Sequence, residues 1–239
     1  MKSKTSLLIV FCTLFIVLLY VSGCARKPTE TAAPRHEPEK LAKITSTIQD
    51  VLDAIDNDLA IAANDLSSSG LSGPGAHEIL LTLCKKYDYF VDCAAIDSSG
   101  IIISIEPETR YRIEGDNIGD QAHVKELHRT KKPVMSEAFK AIEGFYAIDF
   151  AWPIFARNGK LIGSVSMIVK PDHFISKIVK PELSWDAFNI WVLEKTGRIL
   201  YSKHKNVIGI NALEDDRYKR DYSLRLLIEE IAEKYSGTK

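Results

Sequence analysis

The chain has 239 residues, with 31 basic and 32 acidic side chains and a formal net charge of −1. Because the two signs are interspersed, the sequence indicates neither a nucleic acid nor an anionic membrane surface as a partner. The length suits one large domain or two small domains, each with a hydrophobic core, and nothing in the sequence implies a cofactor.

The first residues have the pattern of a lipoprotein signal peptide. Two lysines precede an apolar run from Leu7 to Val21, and the small residues Ser22 and Gly23 then precede Cys24. This run is shorter than the roughly 20 residues that a membrane-spanning helix needs. We therefore predict cleavage after residues 1–23 and lipidation of Cys24, which would anchor the rest outside the cytoplasm, at the cell membrane or the outer membrane. The alternative is an uncleaved signal anchor.

A tether and two helices are predicted next. Residues 24–38 are rich in proline, threonine, alanine and charge, which is typical of a flexible linker. From Glu39 to Leu66, apolar residues recur at steps of three and four, which predicts one long amphipathic helix. Serines and Gly70 end it, and a second helix is predicted over Ala76–Lys86.

The hydrophobic period then changes from helical to strand-like. A β-hairpin is predicted from Phe90–Ile96 and Ile101–Ile105, because a glycine-containing turn separates them. A surface helix over Gly119–Thr130 follows. Three further strands and a closing helix are predicted at Val134–Ala141, Phe145–Phe155, Leu161–Val169 and Asp172–Val179.

A second, shorter unit is predicted after Pro181. It contains a hairpin made of Phe188–Leu193 and Arg198–Ser202, and an amphipathic helix over Leu224–Tyr235. One hairpin and one helix bury little apolar surface. We therefore expect this unit either to lean on the first module or to have lost further strands at its C-terminal end.

These segments, taken in order, resemble the Cache domains, which are extracellular sensor modules with a PAS-like sheet behind a long N-terminal helix. The segments that carry the resemblance are Ala94–Gly100, Ile118–Asp120, Lys131–Ser136, and Pro153 with Asn158–Val165. Lys195–Tyr201 with Ile208-Gly209 is similar to the opening of the second module of double Cache proteins. The resemblance implies an α+β fold, a sensor module over residues 39–181, a partial second module over residues 182–239, and small-molecule sensing.

The strand register predicts where a ligand would lie. If Asn158-Gly159 forms a two-residue loop, Ala151 pairs with Ser166 and Asp149 pairs with Ile168. Small and polar residues then share one face of the sheet, while bulky residues share the other. We expect the bulky face to pack beneath the long helix and the small face to leave ligand volume beneath the surface helix.

The resemblance also defines a position for a ligand amine. In Cache members that resemble amino-acid receptors, an aspartate that grips the amine sits where this sequence has Ile168, and their Arg-x-Trp-Tyr signature is missing here. Asp149 is expected to supply the carboxylate from the neighbouring strand. The alternative is that Asp149 is solvated at the sheet edge or paired with Lys140.

Other candidate ligand contacts surround this position. Cationic side chains near the surface helix are available for a ligand carboxylate, although such residues are often simply solvated. Tyr146 is a candidate as well, with a place in the core as its alternative. The full predicted ligand-binding set is Asp149, Ser166, Ala151, Ile168, Arg112, His123, Lys125 and Tyr146.

Two cysteines remain after processing. Cys12 would leave with the signal peptide and Cys24 would carry the lipid, which leaves Cys84 and Cys93. In an oxidising compartment these two form a disulfide if their Cα atoms come close enough; otherwise they are two buried thiols.

The favoured function is a lipid-anchored extracytoplasmic module that recognises a small metabolite, namely an amine, an amino acid or a small carboxylate. Such a module would report to a receptor or transporter. An enzyme is not predicted, because the His-Glu-x-x-His, Gly-x-Ser-x-Gly and Cys-x-x-Cys motifs are missing. No metal site is predicted, since His123 and His128 lie on diverging helix faces. The alternatives are a structural lipoprotein that forms a homodimer through the long helix and an extracytoplasmic enzyme.

Overall fold

The structure is a computed structural model that describes residues 15–19, 37–141, 144–179, 189–194, 196–219, 225–226 and 229. Its helices are α1 (Glu37–Ser69), α2 (Pro74–Lys85), α3 (Ala122–Thr130), α4 (Pro171–Val179) and α5 (Asp216–Lys219). Its strands are β1 (Phe15–Leu19), β2 (Phe90–Asp97), β3 (Ile102–Glu106), β4 (Val134–Met135), β5 (Phe139–Lys140), β6 (Tyr146–Phe155), β7 (Leu161–Val169), β8 (Asn189–Leu193) and β9 (Ile199–Ser202). Short 3₁₀ helices occur at Glu108–Ile113 and Lys205–Val207.

The described chain divides into two compact units. The first contains Asp56–Glu137 and Ile148–Ile168. The second contains the described residues within 13–55, 138–147 and 169–239. Among the helices that the structure describes, none combines the length and the apolar character that a membrane span requires.

Helix α1 confirms the predicted long amphipathic helix. Its buried apolar side chains recur at helical spacing and include Ile44, Ile48, Ile55, Leu59 and Leu66. Gly70 ends the helix in the left-handed region with φ of 93°, and its N–H donates to the carbonyl of Leu66 at 2.9 Å. Glycine is the residue that adopts this conformation at the lowest cost, which explains the helix end.

The main sheet has the strand order β3-β2-β7-β6-β4, with β5 pairing β6 as well. The long helix and this sheet confirm the α+β, Cache-type fold. The predicted β2–β3 hairpin is also present, and its turn is held by Asp97 Oδ1, which accepts from the N–H groups of Ser99 and Ile101 at 2.8 and 2.9 Å.

The single strand predicted over Val134–Ala141 is wrong, because the structure has two short strands there. Strand β4 pairs Val134 with Ala151, and β5 pairs Phe139 with Ala147, so the register shifts between them. The physical reason lies at Ser136, whose side-chain oxygen accepts from Asp149 N–H at 2.9 Å in place of a backbone carbonyl. A side chain that replaces a ladder carbonyl interrupts the strand in the manner of a bulge.

The turn between β6 and β7 is one residue longer than predicted. Ala156 N–H donates to the carbonyl of Lys160, and Gly159 N–H donates to the carbonyl of Ala156, both at 2.8 Å. Gly159 has φ of 78°, so it occupies the left-handed position of a three-residue turn with a glycine bulge. The predicted two-residue Asn158-Gly159 loop is therefore wrong. The strand register that was inferred from this loop is wrong at this end of the hairpin as well.

The second unit contains the predicted β8–β9 hairpin and a small core. The buried residues Leu193, Ile199, Val207 and Ala212 form one apolar cluster, so this unit buries apolar surface of its own. Strand β1, which falls within the predicted signal peptide, pairs antiparallel with β8. The predicted cleavage and lipidation site, the tether up to residue 36 and almost all of the predicted helix over Leu224–Tyr235 lie outside the described residues.

Gly163 in β7 tests how closely the strands of the first unit approach. A Cβ atom at this position would overlap the carbonyl oxygen of Ile96 in β2. We expect Gly163→Ala to lower the free energy of unfolding by about 1–3 kcal/mol, because a packed backbone cannot easily move aside. The measurement is chemical denaturation followed by circular dichroism.

Gly75→Ala in α2 is the matched control. Its Cβ would meet only Ser69 Cβ at an ordinary 3.7 Å. Alanine is the better helix former, so this variant should be as stable as the wild type or up to about 1 kcal/mol more stable. Equal destabilisation by the two substitutions would contradict the close approach of β7 to β2.

Candidate ligand-binding site around Asp149

A buried carboxylate lies at the centre of the first unit. The Asp149 side chain on β6 is only 2% exposed. Its Oδ1 accepts from Ser166 Oγ on β7 at 2.5 Å, and its Oδ2 lies 3.1 Å from His123 Nε2. A buried carboxylate is costly without such partners, so these contacts make the charge tolerable inside the protein.

The backbone of Asp149 is satisfied by the neighbouring strand. Its N–H donates to Ser136 Oγ at 2.9 Å, and its carbonyl accepts from Ser136 N–H at 2.8 Å. Ser136 is itself buried. Sequence reasoning missed this residue, since it lies in a segment whose alternating pattern predicted a continuous strand.

Helix α3 places His123 over the carboxylate. The buried residues of the helix are His123, Val124 and Leu127, which lie on one helical face. The His123 side chain is only 7% exposed. This helix was predicted as a surface helix, but its inner face is part of the core and its outer face is solvated.

The small-residue face of β6 lies beneath α3, as predicted. Ala151 is buried on it, and the hydrogen bond between Ser166 and Asp149 confirms that these two side chains share one face. Ile168 is half-buried. The sequence predicted free volume beneath this helix. At Asp149 the prediction is wrong, because the His123 imidazole occupies the position next to the carboxylate. Asp149 is neither solvated at the sheet edge nor paired with Lys140, because its side chain is buried and contacts Ser166 and His123.

The remaining predicted residues do not join this group. Arg112 is exposed in the 3₁₀ turn, and exposed Lys125 pairs with Asp120 at 3.0 Å. In the part of the chain that the structure describes, neither forms an ion pair with Asp149. Tyr146 belongs to the second unit, where the Arg198 guanidinium lies 5.1 Å from its ring centre and a Cβ atom on Gly209 would overlap the ring.

Comparison with protein families identifies the chain. The family profile for the sensor domain of HK/GC/chemotaxis-like proteins matches residues 50–171, about half of the chain. The chain belongs to this sensor-domain family. Comparison with curated proteins gives no match.

Solved structures agree with this assignment. An extracellular ligand-binding receptor from Desulfohalobium retbaense is 31% identical, with a TM-score of 0.72 over 82% of this chain. The match spans only 35% of that receptor, so the present chain corresponds to about a third of its length.

Two chemoreceptor domains share the fold at low identity. The Campylobacter jejuni Tlp3 ligand-binding domain, solved with 4-methylisoleucine, has a TM-score of 0.60 at 13% identity, covering 74% of this chain and 71% of its own. The Pseudomonas aeruginosa PctB domain, solved with L-Gln, has a TM-score of 0.59 at 16% identity, covering 79% and 75%. These comparisons confirm the Cache-type fold inferred from the sequence.

A second polar cluster in the first unit of the sensor domain fixes α2. The buried Glu106 carboxylate contacts His77 Nδ1 at 2.9 Å and accepts from the Tyr111 hydroxyl at 2.5 Å. The hydrogen bond to Glu106 raises the pKa of Tyr111 to about 12. Because every polar group here has a partner, we interpret this cluster as structural. The described residues contain no group of three histidine, cysteine or carboxylate side chains suited to a metal ion.

A groove of 470 Å³ lies between α1 and α2 of the sensor domain. It is lined by apolar side chains such as Ile61 and Leu83 and by the carboxylates of Asp65 and Glu78. Ile61 is 53% exposed. The sequence did not predict this groove, because helix periodicity separates buried from exposed faces without showing where two helices diverge.

The two cysteines of the sensor domain are free thiols in the structure. Cys93 is fully buried on β2, and Cys84 Sγ on α2 donates to the carbonyl of Glu106, the residue paired with Cys93 across the hairpin. Burial raises the pKa of the Cys93 thiol well above its usual range, and a hydrogen bond with Cys84 raises it further. The thiols are therefore neighbours, and the disulfide stays a prediction.

Thiol labelling checks this pair. Since alkylation requires the thiolate, we expect iodoacetamide at pH 8 to modify Cys84 first and to reach Cys93 only after unfolding. In protein exported to an oxidising compartment and purified without reductant, we expect a disulfide and no labelling. Reduction should then lower the free energy of unfolding by roughly 2–3 kcal/mol, because the closed loop is short. Two labelled thiols in that unreduced, denatured sample would contradict the disulfide.

Proposed function

We propose that this protein is a lipid-anchored extracytoplasmic sensor that binds a small metabolite with an ammonium group, either an amine or an amino acid, at Asp149. The observation that carries the proposal is the buried Asp149 carboxylate beneath α3. A carboxylate shielded from water interacts strongly with an ammonium group, because the low local dielectric strengthens the attraction. Its surroundings suit a small ligand, because Ala151 on the same face of β6 is small and buried and serine hydroxyls offer hydrogen-bonding groups.

The relatives support this ligand class. The Tlp3 and PctB domains were solved with 4-methylisoleucine and L-Gln, which both carry an ammonium group. In relatives of that kind the amine-binding aspartate is expected where this chain has Ile168. Asp149 offers an equivalent charge from the adjacent strand, since its side chain shares a face with Ser166 of β7.

The lipid anchor and the partner belong to the same proposal. Ser22, Gly23 and Cys24 follow a short apolar run, as expected of a lipoprotein signal. The family is one of sensor domains, and a sensor domain acts through an output. We propose that the anchored module reports ligand binding to a membrane receptor or transporter.

A purely structural lipoprotein, dimerised through the long helix, receives less support. That function requires an apolar stripe on α1 that the rest of the protein leaves uncovered. The apolar stripe of α1 is buried, and Ile61 is the one large apolar side chain that is exposed in its described part.

A thermal-shift screen of amines, amino acids and simple carboxylates tests the ligand class. A ligand that binds only the folded protein raises the melting temperature. At a concentration 100 times its Kd, it raises the free energy of unfolding by about 2.7 kcal/mol. We expect amine-containing compounds to be the hits. Asp149→Asn should weaken them about tenfold or more, since a charge-assisted contact contributes roughly 1.5–3 kcal/mol.

Asp120→Asn is the matched control, because Asp120 is a fully exposed carboxylate beside α3. It should leave the affinity unchanged. Hits that are all simple carboxylates, and that bind Asp149→Asn as well as the wild type, would contradict an amine site at Asp149.

Mass spectrometry of the membrane fraction tests the anchor. We expect the protein to begin at Cys24 with a diacylglyceryl group, and Cys24→Ser to lose the lipid and the membrane association. Cys12→Ser, which changes a cysteine that cleavage removes, should be processed normally. An intact N-terminus that retains Leu7–Val21 would contradict lipidation.

A further inference from the structure

We infer that His123 acts as an internal competitor for the ligand, because its imidazole occupies the place beside Asp149 that a ligand amine would take. This inference rests on the proposed function of Asp149 as the amine anchor. It assigns His123 the role of a residue that sets affinity and couples ligand binding to the position of α3.

The contacts of Asp149 leave no room for an additional cation. Its side chain is 2% exposed, Oδ1 accepts from Ser166 at 2.5 Å, and Oδ2 lies 3.1 Å from His123 Nε2. An ammonium group can reach the carboxylate only if one of these two side chains moves away.

Of the groups around Asp149, His123 is the one that can be displaced with least disruption. Ser136 directly follows β4, and Ser166 is on β7, next to β6 in the sheet, so moving either residue as a whole would break backbone hydrogen bonds. Rotating the Ser166 hydroxyl alone would remove one small donor from Oδ1 and leave the sheet in place beside Asp149. His123 is in the first turn of α3, a nine-residue helix that contributes only side chains to this contact. Local opening of a short helix disturbs fewer hydrogen bonds than the separation of sheet strands.

The exchange keeps the buried carboxylate satisfied. An imidazole N–H and an ammonium group are both donors, so the ligand replaces one donor at Oδ2 with another. A carboxylate with no partner never has to persist inside the protein, which would be costly. The need to break the His123 contact lowers the apparent affinity for the ligand, since only molecules in which His123 has left Asp149 can bind it.

Free imidazole is the probe that tests the displaced position directly. In His123→Gly, the side chain of residue 123 is replaced by space for a small donor next to Asp149. We expect millimolar imidazole to raise the melting temperature of His123→Gly and to leave the wild type unchanged. The double variant His123→Gly/Asp149→Asn should lose this response.

Lys125→Gly is the control for a glycine in α3, because Lys125 is exposed on the same helix. It should lose stability through helix propensity and show no response to imidazole. If His123→Gly is folded and imidazole does not stabilise it, the position beside Asp149 does not accept a free donor and the inference is overturned.

His123→Ala tests whether His123 competes with the ligand for Asp149. This variant also replaces His123→Gly if the glycine variant does not fold. Amine hits from the wild-type screen should bind His123→Ala about 10- to 100-fold more tightly, the fold-change that corresponds to one charge-assisted contact. If His123→Ala binds the amine no more tightly than the wild type while Asp149→Asn still loses it, the competition by His123 is contradicted and the amine site at Asp149 is retained. Failure of every amine to bind either protein would overturn the proposed function itself.

Discussion

The buried charge of Asp149 is the constraint on which the site depends. A carboxylate at 2% exposure must find donors within the protein, and it finds them on two different elements, Ser166 on β7 and His123 on α3. Ser136, which directly follows β4, satisfies the backbone of the same residue. These contacts fix how β4 meets β6 and hold α3 against the sheet, so one polar residue organises the part of the first unit in which a ligand would bind.

The proposed exchange at Asp149 would link ligand recognition to a change in the position of α3. A ligand that takes the place of His123 removes the polar contact between α3 and the sheet, while Val124 and Leu127 still pack on the inner face of the helix. The affinity of such a ligand and the position of α3 are then coupled. The ligand shifts the helix because it binds only the conformation in which His123 has left Asp149. We expect Ser136 and Ser166 to keep their contacts with Asp149 when the ligand binds.

The sequence predicted the fold better than the site. Hydrophobic spacing located α1, α2, β2, β3, β6 and β7, since burial of an apolar stripe or face dominates those elements. Hydrophobic spacing failed where a side chain replaces a backbone group in the hydrogen-bond ladder. Ser136 accepts from Asp149 N–H, and this contact divides one predicted strand into β4 and β5. Alternation also placed Asp149 and Ser166 on one face, but no periodic pattern shows that a histidine on another element closes over them. That contact depends on tertiary packing.

A crystal structure of the protein with an amine from the ligand screen is the most direct test of the central claim. The account predicts the ligand nitrogen within about 3 Å of the Asp149 carboxylate, with the His123 imidazole moved away from Oδ2 and Ser166 still bonded to Oδ1. A ligand bound in the groove between α1 and α2, with the His123–Asp149 contact unchanged at 3.1 Å, would contradict it.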